Sequence, residues 1–187
     1  MFLRTATNPG YVGANKTINA AFCNRTMFAG FGDGKPVTSF FGIDTPFDLF
    51  GLRSGFGALI TSDQIGFFNN VLVDLTYAYH HSLPAAKIGG GITLGFNSFS
   101  IDPNWSSPSD GDWFTPAESD ELVPTQFENM FFRVGLGIYY ETPKYYLGFS
   151  ASNLNRGAIF DAKDEREVEY LYEAPHLYLT GTYNIEL

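Results

Sequence analysis

The sequence predicts an all-β fold, an antiparallel up-and-down transmembrane β-barrel, with eight candidate strands that make a whole barrel or part of a larger one. Three observations lead there. Apolar and polar residues alternate with period two in stretch after stretch. Charge is scarce while aromatic residues and glycine are abundant. Short turns and long acidic connections alternate along the chain.

Composition narrows the class first. Of the 187 residues only 17% are charged, against about 25% in ordinary soluble domains. Aromatics also reach 17%, led by 19 Phe and 11 Tyr, and there are 20 Gly. A disordered chain lacks such aromatics, and a soluble helical protein carries more Glu, Lys, Ala and Leu. The sequence holds no apolar run of the roughly 18 residues that a membrane helix needs. A mean hydropathy of −0.07 still suits a barrel, whose strands show lipid only every second side chain. The net charge of −9 argues against a nucleic-acid partner, because phosphates call for a basic face. Cys23 is the single cysteine and cannot form an internal disulfide. The opening Met1-Phe2-Leu3-Arg4 lacks the basic and then apolar pattern of an export signal. Either this is a mature or truncated chain, or the export reading fails.

Residues 71–80 carry the alternation most clearly. Val71, Val73, Leu75, Tyr77 and Tyr79 share one face, while Leu72, Asp74, Thr76, Ala78 and His80 share the other. This is a strand with two unlike surroundings. In residues 128–140, Met130, Phe132, Val134, Leu136, Ile138 and Tyr140 oppose Phe131, Arg133, Gly135, Gly137 and Tyr139. In residues 87–96, Ile88, Ile92, Leu94 and Phe96 oppose Lys87, Gly89, Gly91, Thr93 and Gly95. Residues 145–152 and 177–187 alternate likewise, and weaker candidates at 17–25, 37–44 and 52–61 complete the eight. Glycines inside these segments would each weaken a helix by about 1 kcal/mol. One charged helical turn is expected at residues 161–172. No internal repeat points to a propeller or solenoid.

The connections at 81–84 and 141–144 are short, while 102–126 and 153–173 are long and acidic. Both long connections follow odd-numbered strands and both short ones follow even-numbered strands. Outer-membrane barrels alternate in this way, with short periplasmic turns and long external loops. The expected orientation has a periplasmic N-terminus and external acidic loops.

Periodicity alone does not say which face points inward. Apolar faces turn inward in a soluble sheet and outward in a membrane barrel. Three features favour the membrane. The polar face is rich in Gly, Ser and Thr with a few charges, which makes Asp74, Lys87 and Arg133 the lumen-facing candidates. Tyr77, Tyr79, Tyr140 and Tyr145, with their neighbours Tyr139 and Tyr146, cluster near strand ends beside short turns, as membrane-boundary aromatics do. Several strands reach the ~9–11 residues that cross a bilayer at a tilt. Two alternatives stay open: a soluble β-barrel or sandwich holding a hydrophobic ligand, and a general diffusion porin. The direction of Val73, Leu75, Leu136 and Ile138 separates the soluble reading from the membrane one.

The opening Asn8-Pro9-Gly10-Tyr11-Val12-Gly13 resembles the start of the PorP/SprF family, outer-membrane proteins of the type IX secretion and gliding system of Bacteroidota. Further likenesses follow in order: Asn24-Arg25, the TSFFGIDTP segment at 38–46, GLRSGFGALITSDQIG at 51–66, Thr76-Tyr77-Ala78-Tyr79-His80, GLGIYY at 135–140 and YLGFSASNL at 146–154. The resemblance covers residues 8–154 and implies the N-terminal portion of a longer protein. It also implies an accessory role in the export, attachment or stabilisation of large surface adhesins, through their C-terminal domains and secretion-system components. It implies no catalytic residue.

The residues themselves suggest little chemistry. His80 and His81 are adjacent in a strand, so their rings point to opposite faces, and His176 is distant. A metal site needs further ligands at suitable spacing. A Ser–His hydrolase would draw on Ser82 or Ser152 with His80 or His176, yet no G-x-S-x-G elbow occurs. Asp110-Gly111-Asp112 is too short for an EF-hand. Gly89-Gly90-Gly91 lacks the Lys-Ser/Thr of a phosphate loop and suits close backbone approach. The expectation is a non-enzymatic single domain over residues 1–187, without metal or cofactor. Its partners are the lipid bilayer and secretion proteins, with the acidic loops and Ala174-Pro175 as the contact surface.

Overall fold

Strand pairing realises the period-two pattern almost throughout. The computed structural model describes residues 4–30, 34–101, 106–109, 112–116, 127–155 and 174–185, with backbone only for 106–109, 112–116 and 127. Ten strands follow in chain order: β1 (Asn19–Thr26), β2 (Val37–Leu49), β3 (Leu52–Ile65), β4 (Phe68–Ser82), β5 (Lys87–Ile101), β6 (Ser106–Ser109), β7 (Asp112–Pro116), β8 (Phe127–Glu141), β9 (Tyr145–Ser152) and β10 (His176–Tyr183). Eight form one antiparallel sheet in the order β1-β2-β3-β4-β5-β8-β9-β10, curled into half a barrel with β1 and β10 as its edges. This is the expected up-and-down architecture with the expected number of strands.

The strands differ from expectation mainly in length. β3 and β4 run on until Ile65 pairs with Phe68, so the connection shrinks to Gly66-Phe67. Gly66 takes a φ of +60°, which glycine adopts without steric cost. The last strand stops at Tyr183, short of the 177–187 expected. The connection 102–126 contains the β6–β7 ribbon where only a loop was expected. The helical turn expected at 161–172 and the Asp110-Gly111 pair lie outside the described residues.

Register then sorts the side chains. Val73, Leu75, Leu136 and Ile138 face outward on the convex side, 40–60% exposed. Phe56, Ile92, Leu94, Phe96, Leu147 and Phe149 join them there. Ala78, Phe131, Tyr139 and Tyr146 are buried on the concave side. So large an apolar surface turned outward is the reverse of a soluble sheet, and it overturns the soluble-sandwich alternative.

Candidate functional site

The concave face is occupied near the short-turn end by the N-terminal segment. Two 3-10 turns, η1 (Arg4–Ala6) and η2 (Pro9–Tyr11), pack against each other, and η2 packs on β4, β5 and β8. The local sequence explains the second turn. The Asn8 side-chain oxygen accepts the Gly10 N–H at 2.9 Å, capping the turn. Pro9 follows at the first turn position, where its missing N–H costs nothing.

Six residues of this plug then meet polar or aromatic partners on the wall. The Asn8 amide donates to the Ile138 carbonyl at 2.9 Å and to the Tyr146 hydroxyl at 3.3 Å. The Ser150 hydroxyl donates to the Thr7 carbonyl. The Gly13 N–H donates to Asp44 Oδ2 at 3.1 Å. His80 Nε2 lies 2.8 Å from the Val12 carbonyl, and Tyr139 Oη lies 3.2 Å from His80 Nδ1. A carbonyl only accepts, so a neutral His80 carries its proton on Nε2 and receives the Tyr139 hydroxyl at Nδ1. Arg4 closes the arrangement from below. Its guanidinium lies 3.2 Å from Glu141 Oε1 and 4.5 Å from the centre of the Tyr146 ring. Tyr11 packs edge-on against Tyr139 and Tyr146, with centroids at 5.1 and 5.5 Å.

Glycines in the wall make room for this segment. A Cβ on Gly91 would strike the Pro9 carbonyl, one on Gly55 the Val12 carbonyl, and one on Gly137 the Asn8 side chain. The glycine run at 89–91 is therefore a place of close backbone approach, the approaching chain being the plug. Gly13 has a φ of +68° and lies against Gly55, so both its conformation and its space call for glycine.

Farther toward the long loops, Asp74 and Arg133 lie in one row of the concave face with Gly95 between them. Arg133 reaches Asp74 at 3.6 Å, and its Nε donates to Asn153 Oδ1 at 2.6 Å. A cavity of about 260 Å³ separates this pair from the plug, bordered by Thr5, Thr7, Thr76 and Tyr178.

Several sequence-derived candidates fall elsewhere. Lys87 sits at the concave rim, half exposed, 3.9 Å from Glu141. Tyr77, Tyr79, Tyr140 and Tyr145 lie on the convex face, the last two with ring centroids 5.9 Å apart. Tyr139 and Tyr146 do not join that boundary set, because alternation turns them inward against the plug. His80, expected as a boundary residue, is buried in the plug clamp. Its period-two position opposite Tyr79 was the available signal. Register sets Ser152 opposite His176, whereas the buried His80 is committed to Val12 and Tyr139. Among the described residues, no group of three or more His, Cys, Asp or Glu could hold a metal ion.

An outward apolar face around a polar, internally plugged lumen is the layout of a membrane barrel. The family model for the type IX secretion system membrane protein PorP/SprF matches residues 1–187, the whole chain. The chain belongs to the PorP/SprF family. The match extends past the 8–154 stretch on which the resemblance rested, and takes in Arg4 and β10. No curated protein and no solved structure matches the chain. Membership ties this PorP/SprF chain to type IX secretion.

Proposed function

We propose that this PorP/SprF chain is an accessory barrel of the bacterial outer membrane. It anchors large surface proteins of the type IX secretion and gliding system, or assists their export, without catalysis or cofactor. The observation that carries this reading is the inverted strand pattern, apolar outward and plugged inward, in a chain matched to the family over its full length. The barrel is the rigid anchor. The connections 102–126 and 153–173, with Ala174-Pro175, are the contact surface for the C-terminal domains of exported proteins, a common division of labour between scaffold and loops. The plug and the short turns face the periplasm, and the acidic connections face outward.

The plug speaks against the diffusion-porin reading, since a general pore needs an open lumen and residues 8–14 fill the short-turn half of this one. Two experiments test the proposal in cells. Deleting residues 104–124 or 156–172 should reduce display of the large surface proteins while leaving barrel insertion unchanged. Undiminished display with both deletions would refute the loop role. External protease should cut in these connections and spare the 83–86 turn; the reverse pattern would invert the orientation.

A further inference from the structure

The long-loop end of the concave face holds a second feature, which the plug does not touch. A cup of about 400 Å³ is lined by Asp63, Ile65, Phe68, Asn70, Asn97, Phe99 and Phe131. Its volume falls in the range of small-ligand sites. Alternation places these residues on the inner face of β3, β4, β5 and β8, where cross-strand register sets Ile65 beside Phe68 and Asn70 between Asp63 and Phe99. The Phe68 and Phe99 rings stand 6.1 Å apart.

The polar side chains are unevenly satisfied. Asp63 accepts from the Thr38 hydroxyl at 2.6 Å. Asn97 is only 5% exposed, and its side-chain oxygen has no hydrogen-bond partner; the Asn70 oxygen is likewise buried and without one. A buried acceptor without a donor costs about 1–3 kcal/mol. These two oxygens border a cup whose other lining is the Asp63 carboxylate with phenyl and aliphatic groups, which suits a ligand that brings N–H donors and an apolar body together.

We propose that this cup binds one large apolar side chain from an extended segment of a partner protein, with Asn70 and Asn97 hydrogen-bonding that segment's backbone. A carboxamide matches a peptide group, offering both a donor and an acceptor. The terminal torsion of Asn is broad, so a modest turn brings each oxygen to the cup. Ile65, Phe68, Phe99 and Phe131 then enclose the side chain. A sugar would leave most of its hydroxyls facing these walls unbonded, and the Asp63 carboxylate repels an anion. The inference rests on the proposed reading that partners arrive at the long-loop end.

The test uses the full chain in lipid nanodiscs and the capped tripeptide acetyl-glycyl-para-fluorophenylalanyl-glycinamide, followed by fluorine NMR. The peptide should bind saturably. Its seryl analogue, and the peptide on Asn97→Leu or Asn70→Leu protein, should bind at least roughly tenfold more weakly. Because neither oxygen is paired, both variants should melt no lower than the parent chain. The proposal is overturned by non-saturable binding, by equal binding to Asn97→Leu, by a lowered melting temperature in both variants, or by maltose binding in place of the peptide. Binding that emerges only after residues 104–124 are deleted would also overturn it, because the chain's own connection would then be the occupant. Loss of peptide binding with surface display intact would sink this inference alone, whereas display unaffected by loop deletion sinks the broader role.

Discussion

His80 Nε2 stands 2.8 Å from the carbonyl oxygen of Val12, so a strand of the wall holds the N-terminal segment by its backbone. Tyr139 braces the far side of the same ring at 3.2 Å. This clamp and the Asn8 cap make the plug part of the folded core, although it belongs to no strand. His80→Phe removes both hydrogen bonds and leaves the Val12 carbonyl buried. It should cost about 1–3 kcal/mol, read as a lower melting temperature, and hydrogen exchange at Gly13 and Ala14 should accelerate. Exchange equal to the parent chain would mean that the clamp is incidental.

Asn8→Ala tests the other anchor. It deletes the turn cap and the bonds to Ile138 and Tyr146. A lost cap typically costs about 1 kcal/mol, and the buried partners add to that. Trypsin should cut at Arg4 faster in Asn8→Ala than in the parent protein. An Asn8→Asp variant keeps the cap but sets a buried carboxylate oxygen against the Ile138 carbonyl, so it should be cut at least as fast as Asn8→Ala.

Gly90 and Gly91 form a matched pair for the plug's fit. A Cβ on Gly91 meets the Pro9 backbone, whereas one on Gly90 finds only ordinary contacts, Ile138 Cγ2 at 3.8 Å and the Gly137 oxygen at 4.0 Å. Gly91→Ala should displace the plug, accelerating exchange at Gly10 to Ala14, and should lower stability by about 1–3 kcal/mol, as overpacking does. Gly90→Ala should be close to neutral. Equal tolerance of the two would contradict the packing described.

The convex face makes a separate prediction. Leu94→Arg puts a charge on the outward face at the middle of β5 and should cost about 2–4 kcal/mol, measured by denaturant titration in vesicles. Thr93→Asn, on the opposite face, should cost less than half as much. A larger penalty for Thr93→Asn would put the lipid on the wrong side.

Asp74 and Arg133 should behave as a coupled pair. Arg133→Ala removes the partner at 3.6 Å and should be strongly destabilising. Asp74→Asn made on top of it should recover part of the loss, with a coupling of about 0.5–3 kcal/mol in a double-mutant cycle. Strict additivity would show that the two side chains do not interact.

Much of this was legible without the fold. Side-chain alternation has a period of two whatever surrounds a strand, so eight strands, their two faces and the tyrosine-bearing ends could be read from residues such as 71–80 and 128–140. Asp74 and Arg133 could be named as polar-face charges for the same reason. Strand ends were less clear. Asp63 and Asn70 look like loop residues by type, yet cross-strand pairing carries β3 and β4 past them.

The sequence by itself determined the local pattern, because strand propensity, alternation and glycine placement act between near neighbours. Only the tertiary structure decided which face turned inward, since the same alternation serves a soluble sheet and a membrane barrel. It alone showed why Gly55, Gly91 and Gly137 are glycine, and that His80, Tyr139 and Tyr146 hold a plug. Those contacts join residues 4–14 to strands up to 143 positions away. No local periodicity encodes such a distance; it arises when curling the sheet brings a polar concave face around a segment able to satisfy it.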